Sequence, residues 1–304
     1  MTDQIRRLAE ELSAGGDISL FPDEPMSRHT SFRIGGAAGL FALPHTTEGL
    51  IRILDEARRM EVRTYILGNG SNVLFDDCGF DGVVISTGGF NTVTAEEDGR
   101  ISAGAGASLS SVCKAARDAS LTGLEFAYGI PGSVGGAVVM NAGAYGGEMA
   151  QVIESSRYLD RETLEVRELS VAGHAYGYRD SVYRHSDRIV LSAAFRLKEG
   201  RSEEIALAMS DYAARRTSKQ PLEYPSAGSV FKRPEGHFVG QMVEESGLKG
   251  FRIGGAEVSE KHAGFIVNRG GATSRDVLAL VEHIRDTVRR NYGVELECEI
   301  IHVK

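Results

Sequence analysis

Cysteine is scarce in this chain, and the three that occur, Cys78, Cys113 and Cys298, stand far apart with no CxxC pair. That spacing excludes a zinc knuckle and a redox dithiol. Three separated thiols read instead as free, buried side chains of a protein kept in a reducing compartment, the cytoplasm. Basic charge is also short: 34 Lys and Arg stand against 42 Asp and Glu, for a net charge of −8. A nucleic-acid partner, which demands basic faces, is disfavoured; an anionic small molecule would need a local basic cluster. No apolar run reaches membrane-spanning length, and the opening MTDQIRRLAEEL holds no apolar core followed by a cleavage site, so membrane insertion is not expected. No GxxxxGK[ST] occurs, and no histidine pair has HxH or HxxxH spacing, so neither a Walker-type phosphate loop nor a metal site is expected.

What is plentiful is glycine, at 37 of 304 residues, which points to many turns and close ligand approaches. The length suits about two domains. Asp3 to Leu12 reads as a short amphipathic helix. A strand from Gly39 to Leu43 leads to a helix with Leu50, Ile53, Leu54 and Ala57 on one face and Thr46 or Thr47 as its N-cap. Ser108 to Ala119 reads as a helix with Leu109, Val112, Ala115 and Ala116 inward. Two β-like runs, Gln151 to Asp160 and Thr163 to Leu169, suggest a hairpin, and another strand covers Ile189 to Leu197. After Lys198-Glu199-Gly200 the pattern becomes more helical: Ser202 to Thr217 with Ile205, Leu207, Met209, Tyr212 and Ala213 apolar, a helix around His237 to Glu245, short strands near Ala256 and Phe265, and a long helix Ser274 to Tyr292. A strand from Glu295 to Val303 closes the chain. The alternation argues α+β rather than a doubly wound parallel sheet. The boundaries expected are an N-terminal helix in 1–20, a first domain in 21–200 and a second in 201–304.

The stretch Leu124 to Gly146, LEFAYGIPGSVGGAVVMNAGAYG, carries six glycines and no run of charge, and reads as buried. Ile130-Pro131-Gly132 is a turn, and unblocked N–H groups from Gly132 to Ala137 would line a nest for an anion such as a pyrophosphate. The plainer reading is a glycine turn kept for packing. A second glycine loop, Gly68-Asn69-Gly70-Ser71-Asn72, follows the apolar run VRTYIL. It lacks the third glycine of a dinucleotide fingerprint, Val73 standing in its place.

GIPGSVGGAVVMNAGAYG resembles the cofactor-binding core of the UDP-N-acetylenolpyruvoylglucosamine reductases, flavoenzymes of peptidoglycan precursor synthesis. These belong to the FAD-binding superfamily that also contains vanillyl-alcohol oxidase. Other blocks agree in order: HTSFRIGG at His29, GNGSN at Gly68, YRDSVYR at Tyr178, PLEYPSAGSVFKRP at Pro221 and LECEI at Leu296. The resemblance covers essentially the whole chain and is to the shorter subgroup, which lacks an inserted substrate-covering loop. It implies an FAD-binding domain followed by a smaller α+β substrate domain.

It also implies residue roles. Gly68, Asn69, Gly70, Ser71 and Asn72, with Ile130, Pro131, Gly132, Ser133, Gly135, Gly136 and Ala137, would hold FAD. Because neither loop offers a histidine or cysteine, the FAD would be non-covalent. NADPH would be co-substrate and UDP-N-acetylglucosamine enolpyruvate the substrate. Arg179 would meet the substrate carboxylate, where a planar guanidinium fits two oxygens at once; taken blindly it is a surface ion-pair partner of Asp180. Ser229 would be the proton donor, although an isolated AGS tripeptide is ordinarily a turn. Glu299, not Glu297, fits the catalytic glutamate, although two acids so spaced also suit a solvated strand face. Tyr178, Lys232 and Arg233 would bind substrate, within a basic cluster that includes Lys219, Lys249, Arg252 and Lys261. Tyr183 stands where the family often has phenylalanine. Another FAD oxidoreductase or oxidase of the superfamily, and a non-catalytic flavin-binding module, are the competing readings.

Overall fold

The computed structural model describes residues 2–304. The chain divides into two compact units, each assembled from separated segments. The first comprises Met1–Pro22, Leu40–Asn69 and Gly82–Arg216; the second comprises Asp23–Gly39, Gly70–Asp81 and Thr217–Lys304. Helices and largely antiparallel strands mix in both, so the architecture is α+β. Among the described residues no helix is long and apolar enough to cross a membrane.

The first unit has two cores. In one, the helices Asp3–Leu12 and Thr47–Arg59 bury Leu8, Leu12, Leu50, Ile53, Leu54 and Ala57 with Val83 and Ile85 of the strand Phe80–Ser86. Thr46 caps the second helix, its hydroxyl accepting the Gly49 N–H at 3.0 Å. The strand Thr64–Leu67 runs parallel to Phe80–Ser86 and delivers the chain to the glycine loop at Gly68. The other core underlies a five-stranded sheet in the order Val166–Ser170, Ile153–Asp160, Arg188–Arg196, Arg100–Gly104, Val93–Ala95, all pairs antiparallel. The helices Leu109–Asp118 and Val134–Met140 belong to it. On the former Cys113 is buried and Ala115 only half-buried, a small rotation of the expected inward face.

The long helix Ser202–Lys219 buries Ile205 and Met209, while Leu207 is 72% exposed. Two residues along a helix turn the side chain through roughly 200°, so Leu207 cannot share the stripe of its neighbours.

In the second unit the strands Arg252–Ile253, Ala256–Val258 and Ile266–Asn268 form an antiparallel sheet. The helix Ser274–Tyr292 packs Val277, Leu280, Val281, Ile284 and Val288 into the same core. Thr273 and Asp276 make a reciprocal capping box at its start, and Gly293 ends it at φ +68°. The closing strand is shorter than the expected Glu295 to Val303: only Ile301–Val303 is regular, parallel to Val73–Phe75. The preceding residues run beside Val230–Lys232 through isolated pairing of Phe231 with Cys298. The cysteines also depart from expectation, since Cys78 and Cys298 are exposed and only Cys113 is buried. Burial pushes the Cys113 thiol up to about 12 and leaves it unreactive.

Candidate functional site

The glycine-rich stretch is a turn clamped to a strand end, then a short helix. Leu109 donates to the Gly132 carbonyl at 3.0 Å, while Val134 and Gly135 donate to the carbonyls of Ala107 and Ala105 at 2.9 and 2.8 Å. The expected run of unblocked N–H groups is therefore interrupted: those of Val134 and Gly135 are taken up by backbone, and that of Ala137 bonds the Ser133 carbonyl. The stretch is also not buried throughout, because Pro131 and Gly136 are exposed.

The two candidate glycines differ in what they permit. A Cβ at Gly135 would stand 3.0 Å from the Ala105 Cβ and 3.2 Å from its carbonyl oxygen, so this glycine serves packing. A Cβ at Gly136 would meet nothing nearer than the Ser133 hydroxyl at 3.5 Å, so its bare backbone faces open space. The Ser133 hydroxyl caps the helix through the Gly136 N–H at 3.3 Å. The other glycine loop joins it there: a Cβ on Gly68 would lie 2.5 Å from the Ser133 hydroxyl and 3.9 Å from the Gly136 nitrogen. Gly68 thus packs directly on the Ser133 hydroxyl while Gly136 leaves bare, exposed backbone beside it, a junction whose small groups and hydroxyl suit a pyrophosphate. Asn69 is exposed beside it; Ala137 is buried and packs in the core.

Tyr178 and Arg179 lie on a tight turn in the same unit, closed by Gly177 and Asp180 exchanging backbone bonds at 3.1 and 3.2 Å. Asn141 ends the Val134–Met140 helix at φ +43°. Its amide donates to the Gly177 carbonyl at 3.0 Å and its oxygen accepts the Ala150 N–H at 3.0 Å. Ser181 donates to the Val139 carbonyl at 2.7 Å. The arginine turn is thus bolted to the end of the glycine stretch. Arg179 sits at φ +55°, a left-handed conformation that a side chain adopts at a cost, and it donates to the Gly143 carbonyl at 3.3 Å. Its guanidinium lies 5.1 Å from the Tyr178 ring, which is 52% exposed. Sequence reasoning passed over Asn141 as an anchor; its signal was an asparagine after an apolar helix, the residue type that tolerates a left-handed cap.

The second unit gathers Ser229, Glu299 and the rest of the GNGSN loop. Ser229 is exposed and pairs across from Phe265, and Gly228 before it turns the chain at φ +77°. Val230 donates to the Gly264 carbonyl at 3.0 Å, and Glu299 donates its own N–H to the Val230 carbonyl at 2.8 Å. Ser229 and Glu299 therefore sit on adjoining backbone segments. Asn72 donates its side-chain amide to the Glu299 carbonyl at 3.2 Å, and the Ile301 N–H bonds the Asn72 carbonyl at 3.0 Å. Gly70 and Ser71 precede it, with Gly70 at φ +61° and packed against the His29 and Thr30 backbone.

The basic residues are less available than their number suggests. Lys232 pairs with Glu297, the acid that did not fit the catalytic pattern, and Arg233 lies over the Phe238 ring at 3.9 Å. Lys249, Arg252 and Lys261 pair with Glu244, Glu257 and Glu223.

Comparison with known proteins identifies the family. A family profile described as UDP-N-acetylenolpyruvoylglucosamine reductase, C-terminal domain, matches residues 220–303, and one described as FAD binding domain matches residues 38–169. The UDP-N-acetylenolpyruvoylglucosamine reductase of Clostridium perfringens is 49% identical over 297 residues, 98% of this chain and 96% of its own length. That of Caldanaerobacter subterraneus subsp. tengcongensis is 47% identical over 296 residues, covering 97% and 96%. Among solved structures, the UDP-N-acetylenolpyruvylglucosamine reductase of Thermus caldophilus superposes with a TM-score of 0.79 at 35% identity, covering 94% of this chain and 99% of that one.

Proposed function

The chain belongs to the UDP-N-acetylenolpyruvoylglucosamine reductase family, and from that premise we propose that it reduces UDP-N-acetylglucosamine enolpyruvate to UDP-N-acetylmuramate, with NADPH as donor, in the cytoplasm. In this reading residues 21–200 serve the flavin and residues 201–304 the substrate. FAD, held without a covalent bond, supplies the two-electron chemistry between NADPH and the enolpyruvyl double bond. The Gly68 and Gly136 backbone, with Ser133, would hold its pyrophosphate. The remaining steps fall to side chains of the chain itself.

Reduction at C3 leaves negative charge at C2 that spreads into the substrate carboxylate. Arg179 receives that carboxylate through paired N–H donors, and its fixed charge opposes the charge that develops. Glu299 reaches the same group as a proton carrier or a bridge to it, since a bare carboxylate would repel another. Ser229 gives its proton to C2. A hydroxyl is a weak acid, but the carbon it protonates is a strong base, so the transfer is not uphill. Tyr178, Lys232 and Arg233 bind the remainder of the substrate, Lys232 exchanging its contact with Glu297 for the diphosphate.

The observation that carries this reading is the backbone bond between Val230 and Glu299, which sets Ser229 and Glu299 on adjoining segments. The test separates the two halves of the cycle by stopped-flow absorbance. Ser229→Ala is expected to bleach with NADPH at the normal rate, while re-oxidation by the enolpyruvyl substrate slows by roughly 10²–10⁴-fold, the contribution of a positioned proton donor. Loss of the NADPH half-reaction with the substrate half intact would remove Ser229 from this role.

A further inference from the structure

The segment 29–36 lies outside every step described so far, yet its central serine touches two of the loops that those steps use. The Ser31 N–H donates to the Gly70 carbonyl at 3.0 Å. Its hydroxyl approaches two carbonyls, Ser226 at 2.6 Å and Gly70 at 3.5 Å. A hydroxyl has one proton, and the short contact takes it. Ser31 thus ties the GNGSN loop with its backbone and the loop that ends in Ser229 with its side chain.

The surroundings make this a rigid bracket. Asn268 donates its amide to the Phe32 carbonyl at 3.1 Å and its own N–H to the Pro225 carbonyl at 2.9 Å, tying the residues beside Ser31 and Ser226. Thr30 donates to the Ile34 carbonyl at 3.1 Å, and Arg33 is held at φ +55° between them. Beyond Ser226 the chain turns at Gly228, and its next fixed point is Ser229 itself, paired across from Phe265 with the Val230–Gly264 bond beside it. The turn that leads into Ser229 is therefore held at its far end by the Phe265 pairing and at its start by the Ser31 hydroxyl, beside the Asn268–Pro225 bond.

We infer that Ser31 is a positioning residue for Ser229: its hydroxyl fixes the start of the 226–229 loop, and so the place from which the proton is delivered, relative to the glycine loop held by its N–H. The inference rests on the reading of Ser229 as proton donor. A misplacement of about 1 Å at a reacting group costs on the order of 10²-fold in rate.

Ser31→Ala keeps the N–H bond to Gly70 and deletes only the tie to Ser226. Flavin content and NADPH bleaching are expected to match the parent, while re-oxidation by the enolpyruvyl substrate slows about 10- to 100-fold. Amide exchange in the peptide 226–230 is expected to quicken in the flavin-free and flavin-loaded protein alike. Ser31→Thr, which keeps a hydroxyl, restores both. In a Ser229→Ala background Ser31→Ala is expected to add no further slowing, because the group it positions is gone. Unchanged re-oxidation in Ser31→Ala, equal slowing of both half-reactions, or a full Ser31 effect persisting without Ser229 would each overturn the assignment. Ser229→Ala alone identifies the other failure: if it re-oxidises normally, the reading of Ser229 falls, and this inference with it.

Discussion

Arg179 shows how a single residue can hold a conformation against its own preference. A left-handed residue with a side chain costs about 1–2 kcal/mol relative to its usual backbone, and Arg179 stands at φ +55° in a turn where glycine would relax. Arg179→Gly is therefore expected to fold with a melting temperature no lower than the parent and to retain its flavin, while substrate turnover is lost; a thermal melt beside a steady-state assay checks both. Gly135 and Gly136 make the opposite kind of pair. Gly135→Ala drives a methyl against Ala105 and should lower stability, whereas a Cβ at the exposed Gly136 meets only the Ser133 hydroxyl, at an ordinary 3.5 Å. The Gly136→Val variant should fold and elute colourless, and full flavin content in it would show that the pyrophosphate site lies elsewhere. Sequence pattern marked both glycines alike, because nothing local distinguishes a glycine kept for a neighbouring strand from one kept for a ligand.

At the scale of elements, the strand Ile153–Asp160 is stapled to the loop that carries Tyr178 and Arg179 by a chain of buried side chains. His174, fully buried, has Nδ1 3.3 Å from the Val171 carbonyl, so Nδ1 bears the hydrogen and Nε2 accepts from the Ser156 hydroxyl at 2.7 Å. Ser156 in turn accepts from the Tyr183 hydroxyl at 2.6 Å, and Tyr176 stacks on the imidazole. The tyrosine found where phenylalanine is common thus has a partner. Burial holds the His174 pKa below its ordinary value and pushes Tyr183 up to about 12. The sign follows: unfolded His174 takes a proton near pH 6.5 and folded His174 resists it, so its contribution to stability is complete above about pH 6.5 and is lost as pH falls below. Urea midpoints measured at about pH 7.5 and about pH 5.5 should fall more steeply in the parent than in His174→Gln. Elements with local signals were legible beforehand. The helix Ser274–Tyr292 has the bounds its apolar period predicted, and the structure adds the Thr273 cap and the Gly293 stop that fix them. The last strand was overextended because alternation continues through Leu296–Ile300, while the backbone partners of that stretch lie at Val230–Lys232, a register no local pattern encodes.

For the molecule as a whole, motif wording carried the family and the FAD chemistry, but not the way the chain is shared between its two compact units. That partition rests on contacts between residues such as Asn72 and Glu299, 227 positions apart, and contact at such separation leaves no mark on composition or spacing. The parallel pairing of Val73–Phe75 with Ile301–Val303 has a consequence for the protein's birth. A ribosome exposes Val73–Phe75 early and must add every residue up to Ile301–Val303 before their partner exists. Until Ile301–Val303 emerges, that apolar strand has an open edge, and the second unit cannot close. Synthesis therefore imposes an order, the first unit able to fold before the second, which must wait until Ile301–Val303 has left the exit tunnel. A nascent chain stalled short of Ile301 would present the edge to chaperones, or to other chains like itself.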